Sequence, residues 1–408
     1  MQMRLLKEEE VERCLSIEEA LRVNTAAFIA LFQSTSNSNL SNSNSNSNQN
    51  VQVCMPERLQ IPLPMYSGVT LFKPAMAAMT ITSESKGYDQ PSPSSPNKIQ
   101  NQMQSSSQFD VSLGVKLVSV RPHNAERQIL TVPAMIVMVD EQTGVVVLCC
   151  FGGWEMCCFL QPQILTTFFI SGFPSALVAA TFLTARRTAA GSAAATQLLS
   201  SDNANVLTIF GAGMQAREHI QCILHVRPTI KHVYVVNRTS DRAQHLIKDM
   251  AHLFQQVQFH LVLQESKGMV ENAVRSAHII CTTTNASSPL FDGQLVTPGT
   301  HVNCIGSYQP HMQEIDETLV SRAKIAVDVE TAMKEAGDLV IPLQKNIISA
   351  ENITTIGACL AKVHPLRTHR DDITIFKSVG TAIQDIMTAK SVLNKANQLN
   401  AGQLVSLF

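Results

Sequence analysis

From Val206 onward the chain alternates two apolar patterns. Short, nearly continuous apolar runs ("VLTIF", "HVYVV", "HIICTTT", "HVNCIG", "KIAVDV") predict strands buried on both faces. Between the first of these lie "QAREHIQCILHV" and "DRAQHLIKDMAHLF", whose apolar residues recur every three or four positions and predict helices with one buried stripe. Strand and helix in alternation imply a parallel sheet covered on both sides, a doubly wound α/β unit. The first half reads differently. "IEEALRVNTAAFIALF" has helical spacing, while "VKLVSV" and "AMIVMV" predict strands. "TAAGSAAATQLL" is small and apolar enough for a closely packed linking helix, and "FKSVGTAIQDIMTAKSVL" reads as a last helix.

Three segments interrupt this pattern. Residues 34–50 ("STSNSNLSNSNSNSNQN") and 83–108 (with "PSPSSP" and "QMQSSSQ") have little to bury and read as disordered low-complexity insertions. Residues 156–185 carry no charged side chain, long enough for a membrane span by length alone. Pro162, Gly172, Pro174, Gln161 and Gln163 interrupt any continuous lipid-facing helix, so an uncharged insertion at about 151–175 is the favoured reading, and no membrane partner is expected.

Composition narrows the partners. Of 408 residues 45% are hydrophobic and 15% charged, and the net charge is −1, which leaves no basic field for nucleic acid. Ten cysteines show neither CxxC nor Cys/His ligand spacing, so no metal site is expected and free thiols in a reducing compartment fit best. The opening "MQMRLLKEEEVERCLSIEEALRV" is acidic and amphipathic, unlike a signal or transit peptide, and a cytoplasmic location is expected.

The candidate chemistry begins where "VLTIF" meets Gly211-Ala212-Gly213-Met214-Gln215-Ala216, a G-x-G-x-x-A turn between strand and helix. Gly211 allows the tight turn and Gly213 lets backbone approach a pyrophosphate. Ala216 lets the helix pack closely, and the helix N-terminus faces the phosphates. The end of the next strand selects the dinucleotide. A carboxylate there would accept from an NAD ribose and repel a 2′-phosphate, whereas Asn237-Arg238-Thr239 suits a 2′-phosphate, so NADPH is favoured over NADH.

"LTARRTAAGSAAATQLL", "FGAGMQAREHI", "VVNRTSDRA", "VDVETAMKEAGDL" and "IFKSVGTAIQDI", in this order, resemble the ornithine cyclodeaminase/mu-crystallin family, with the "NRT" and "FKSVG" blocks nearest its mu-crystallin branch of NADPH-dependent ketimine reductases that also bind thyroid hormone. The resemblance implies a homodimer. Residues 1–188 with 377–408 would form an α+β substrate-binding and dimerisation domain, and 189–376 the Rossmann NADPH-binding domain. It implies Arg58 and Arg187 as substrate-binding residues and Lys116 as the active-site lysine, binding substrate and catalytic. Arg187 and Thr188 would also meet the cofactor, with Gly211, Gly213, Met214 and Gln215 at the pyrophosphate. Asn237, Arg238 and Thr239 would lie at the 2′-phosphate, and Ser307 and Val379 near the nicotinamide.

Two departures bear on the reaction. Cyclodeaminases of the family place a catalytic aspartate where this chain has Tyr308, and a phenol with pKa near ~10 is a poor base. Relatives also carry polar residues after the proline where this chain reads Pro133-Ala134-Met135-Ile136. The expected function is reduction of carboxylate-bearing ketimines, cyclic imino acids among them. The alternatives are an NAD-linked ornithine cyclodeaminase and a weakly catalytic, NADPH-dependent protein binding a thyroid-hormone-like ligand.

Overall fold

A computed structural model describes residues 2–39, 51–55, 59–63, 68–81, 108–120, 133–139 and 174–406. Two eight-stranded sheets organise it. The first comprises β1 (Gln2–Leu6), β2 (Gln52–Cys54), β3 (Leu59–Leu63), β4 (Gly68–Ile81), β5 (Gln108–Val120), β6 (Ala134–Val139), β7 (Pro174–Ala179) and β16 (Gln403–Ser406). Their order is β16-β1-β7-β6-β5-β4-β2, with β3 also on β4, and only β1 and β7 run parallel.

The strand alternation sorts this sheet into two faces. Ile136, Met138, Ala176 and Val178 are buried and share a core with Ile386, Ala389 and Val392 of the last helix, α7 (Ala382–Leu399). On the opposite face Leu5, Leu117, Val137 and Leu177 are partly exposed and Met135 is exposed.

The second sheet is wholly parallel. It runs β10 (Gln258–Leu263), β9 (His232–Asn237), β8 (Val206–Phe210), β11 (Ile279–Thr282), β12 (His301–Cys304), β15 (Ile373–Lys377), β13 (Ala323–Val327), β14 (Ile353–Thr355). The chain starts at β8 and builds outward both ways, so the order reverses between β8 and β11, where a crevice opens at the strands' carboxyl ends. Every residue of β8, β11, β12 and β15 is buried, His301, Asn303, Thr374 and Lys377 among them, because both faces of the sheet are covered.

Among the longer helices, α1 (Glu8–Cys14) and α2 (Ile17–Asn39) pack with the first sheet, while α4 (Met214–Val226), α5 (Ser240–Leu253) and α6 (Lys267–Ser276) cover the second. Between the two lies α3 (Thr181–Leu199), nearly all of it buried. Its Ala-rich surface, with Gly191 against Phe28, permits close approach to α2 and α4. Arg227 donates to carbonyls at its C-terminal end, those of Thr196, Gln197 and Ser200.

Four expectations change. The helix expected to stop before the Asn/Ser repeat runs on through Asn39. Its core-anchored apolar turns propagate, and Thr35 and Ser36 hydroxyls donate back to the Leu31 and Phe32 carbonyls. Gln108 belongs to β5, paired with Ile81, rather than to a disordered insertion; residues 83–107 lie outside the described residues. In the uncharged stretch, 174–179 form β7 between β1 and β6, and α3 begins at Thr181, because an apolar run gains more from sheet pairing than as a loop. Residues 151–173 lie outside the described residues. No helix among the described residues is long and apolar enough to cross a membrane. Finally, "FKSVG" is not helical. Phe376 and Lys377 end β15, and the helix starts only after Thr381, whose side chain forms a capping box with Gln384.

Candidate active site

The glycine turn sits at the crevice. Gly211 has φ +106°, and a Cβ there would lie 2.8 Å from Thr283 Oγ1 at the end of β11, so this position takes glycine for both conformation and space. Gly213 caps α4 and faces open space, with nothing within 4 Å of a Cβ placed on it. The first turn of α4 has no acidic residue and no side-chain cap, which leaves its N–H groups for an anion. Met214 is exposed there, and Gln215 Oε1 is buried without a partner. Burial lowers the His219 pKa to about 4, so the neutral ring donates from Nδ1 to the Gln215 carbonyl (2.7 Å) and accepts the Ser192 hydroxyl at Nε2 (2.9 Å). That ties the phosphate-side helix to α3. The turn therefore fits a dinucleotide pyrophosphate.

At the end of β9, Asn237 donates to the Thr239 carbonyl (2.8 Å) and hydroxyl (3.1 Å), folding the "NRT" corner. Arg238 is exposed beside it, and Thr239 is the N-cap residue of α5.

The cationic centre lies where β4, β5, α3 and α7 meet. Lys73 and Lys116 are directly opposed on adjacent strands, so their side chains share one face, and both are buried. Lys116 Nζ donates to Asp385 Oδ1 at 2.9 Å, and Arg187 Nε donates to the same oxygen at 2.8 Å. Lys73 Nζ donates to the Gly380 carbonyl at 3.3 Å. Burial lowers the Lys116 pKa to about 8, with Asp385 opposing the shift and Arg187 adding to it. Burial alone would raise the Asp385 pKa, but Arg187, Lys116 and Lys73 together hold it below the usual carboxylate range.

Adjacent arginines on α3 take different roles because successive helical positions point about 100° apart. Arg187 faces the centre, while Arg186 pairs with buried Glu218 of α4 over the Phe182 ring.

Residues 378–380 join the two sheets' chemistry. Asp328, just past β13, accepts at Oδ2 from Ser378 Oγ (2.8 Å), Val379 N (2.9 Å) and Gly380 N (2.7 Å). Gly380 has φ +78°, and a Cβ there would stand 2.6 Å from Arg187 Nη1. Ser307, after β12, donates to the Met312 carbonyl at 2.7 Å and is fully buried. Tyr308 is half-buried, which pushes its phenol pKa still higher and away from base chemistry. Thr188 donates to the Thr184 carbonyl one turn earlier on α3.

Thus Lys116, Arg187 and the loop bearing Val379 come together. Gly211, Gly213, Met214 and Gln215 form a second cluster at the crevice, and Asn237, Arg238 and Thr239 a third at the β9 corner. Arg58 lies outside the described residues. Sequence reasoning missed Asp385, Lys73 and Asp328. The available signal was a lone charge within an apolar pattern: Lys73 in "VTLFKPAMAAM" and Asp385 in "TAIQDIM". No three His, Cys, Asp or Glu side chains converge among the described residues.

Comparison with known proteins matches this architecture. A family model for the ornithine cyclodeaminase/mu-crystallin family matches residues 164–400. A Delta(1)-pyrroline-2-carboxylate reductase of Colwellia psychrerythraea is 40% identical over 227 residues, 55% of this chain and 70% of that protein. Ketimine reductase mu-crystallin of Macropus fuliginosus is 35% identical over 52% of this chain and 61% of its own length. A solved Delta(1)-pyrroline-2-carboxylate reductase of Thermococcus litoralis, in complex with NADH and L-proline, superposes with TM-score 0.75 at 25% identity. It covers 98% of this chain and 99% of that one. With the glycine turn, the reversal of strand order and the α3–α7 centre in place, this chain belongs to the ornithine cyclodeaminase/mu-crystallin family.

Proposed function

We propose that the protein reduces the C=N bond of cyclic imino acids carrying a carboxylate, with NADPH as electron donor. The observation that carries this reading is a buried lysine of pKa about 8 sharing Asp385 with an arginine, in a chain that also folds a glycine turn shaped for a dinucleotide. The reduced nicotinamide, when bound, supplies one hydride to the imine carbon. The nitrogen then needs one proton to complete the N–H bond as the C=N π bond is lost, and Lys116 is charged at neutral pH and supplies it. Arg187 holds the substrate carboxylate, a match for the guanidinium fork. Arg58 is proposed to share that task. Gly213, Met214 and Gln215 hold the pyrophosphate by backbone N–H groups, with Gly211, whose own N–H bonds the Val236 carbonyl, turning the chain beneath it, and Ser307 and Val379 edge the nicotinamide side, with Thr188 toward the phosphates.

NADPH is preferred on this reading because Asn237, Arg238 and Thr239 place a cation and hydroxyl and amide donors, and no carboxylate, at the ribose corner. Relatives named as pyrroline-2-carboxylate and ketimine reductases support the reaction class. Tyr308 disfavours cyclodeamination, since no carboxylate base stands there.

The partly exposed apolar face of the first sheet, with Leu5, Leu117, Met135, Val137 and Leu177, supports a homodimer formed through it. Light scattering of the purified protein tests the dimer. The enzymatic test is consumption of NADPH, then NADH, with pyrroline-2-carboxylate and piperideine-2-carboxylate. Turnover faster with NADPH and product proline or pipecolate is expected. Tight NADPH binding with no turnover on any imine overturns the reading, and ligand binding that survives loss of Lys116 would then mark a binding protein.

A further inference from the structure

Four buried carboxylates stand at or near this end of the molecule, and they differ in what they hold. Glu314 accepts at both oxygens, from Thr282 and Thr284 hydroxyls and from the backbone of Thr284 and Gly306. Asp338 accepts from the backbone of Glu314 and Ile315 and from Lys377, and Asp328 from the backbone of Val379 and Gly380. Each of these three pins loop backbone. Asp385 pins none. Its bonds go to two side-chain cations, both on Oδ1, while Oδ2 is buried without a partner.

Asp328 likewise leaves one buried oxygen unpartnered, so what sets Asp385 apart is that both its bonds end on side-chain cations and none on backbone. Asp385 sits in the first turn of α7, where the helix dipole favours its charge, and it faces the two groups proposed to act on substrate. We propose that Asp385 is a positioning residue: through Oδ1 it fixes Lys116 as a charged proton donor and turns the Arg187 guanidinium so that both address one substrate.

The inference rests on the imine-reductase reading for its kinetic consequences, but not for the pairing itself. The charged groups around Asp385 are Lys73 of β4, Lys116 of β5 and Arg187 of α3, with Asp328 beyond the arginine. Without the negative charge, burial and Arg187 remain to lower the Lys116 pKa further. As Lys116 acts as an acid, activity falls when pH rises through its pKa, so the falling limb must move to lower pH in Asp385→Asn. An opposite charge at this range shifts a pKa by about 1–3 units.

The test uses three full-length variants. Asp385→Asn should lower kcat about 100-fold or more and shift the falling limb down by at least about one pH unit. Asp385→Glu should restore the limb's position in part. A merely structural role predicts lost stability with an unmoved limb, and that result overturns the proposal. Independently of turnover, the [13Cε]lysine signal of Lys116, identified by its loss in Lys116→Met, should titrate lower in Asp385→Asn. An unchanged midpoint overturns the proposal even if the wild type reduces imines. A lowered midpoint in a protein that reduces none supports the pairing and removes only the proposed reaction.

Discussion

Adding a single methyl group at Gly380 tests whether the loop after β15 sets Arg187, the arginine proposed to hold substrate. Gly380 lies at φ +78°, where an L-residue with a Cβ pays about 1–2 kcal/mol. The new carbon would begin 2.6 Å from Arg187 Nη1 and 2.7 Å from Nη2, against roughly 3.5 Å for comfortable contact. Either the loop or the guanidinium retreats by nearly ~1 Å. Asp328 grips the loop through two backbone N–H groups and the Ser378 hydroxyl, so the guanidinium is the softer partner. Its 2.8 Å bond to Asp385 then opens. A displacement of about 1 Å at a substrate-positioning group costs about 100-fold in rate, equivalent to about 2.7 kcal/mol of barrier. Gly380→Ala should therefore lower kcat/KM for the imine about 100-fold and unfolding stability by only about 1–2 kcal/mol. NADPH affinity, proposed to rest mainly on Gly211–Gln215 and the β9 corner, should change little. Steady-state kinetics, urea unfolding and fluorescence titration of NADPH read the three quantities. Wild-type kcat/KM in a destabilised Gly380→Ala would refute the placement of Arg187 against substrate.

Other consequences are as direct. Removing the cation with Arg238→Ala should raise KM for NADPH about 10-fold or more and leave NADH kinetics nearly unchanged; equal effects on both would end the 2′-phosphate assignment. Wild-type kcat/KM should decline above about pH 8, the Lys116 pKa, because the neutral amine cannot donate the proton; a rise across that range would make Lys116 a base. Glu218→Ala leaves Arg186 buried and unpaired between α3 and α4, at a cost of about 3–5 kcal/mol in urea unfolding, and a loss below ~1 kcal/mol would show that water replaces the partner. Tyr308→Phe should keep imine reduction within about twofold, since reduction needs no base there; a large loss would give the phenol a chemical role.

The parallel sheet was legible because its signal is local. "VLTIF" and the strand of "HVNCIG" are buried on both faces and so read as nearly continuous apolar runs, and a helix such as "QAREHIQCILHV" carries its own period. β10 escaped notice because "QFHLVL" lies toward the edge and is polar at one end, with only Val262 buried. The tail of β15 was read as helix because "FKSVGTAIQDI" places strand, loop and helix without a break in apolar content. The glycine turn was equally local, since Gly211 is needed by backbone conformation and by the closeness of Thr283. The cationic centre was legible only through the family resemblance, which named Lys116 and Arg187.

What the chain's order of residues determined alone is therefore the alternating fold, the dinucleotide-type turn and the absence of a carboxylate at the ribose corner. Each depends on neighbours within one or two elements. Tertiary structure alone decided that Lys73, Lys116, Arg187 and Asp385, from four separate elements, share one buried space. Lys116 and Asp385 are 269 positions apart, and Arg187 and Asp385 198. No periodicity spans such distances. A lysine's pKa and an arginine's orientation are set by burial and by opposing charge, and these exist only once the sheet and the last helix have closed around them.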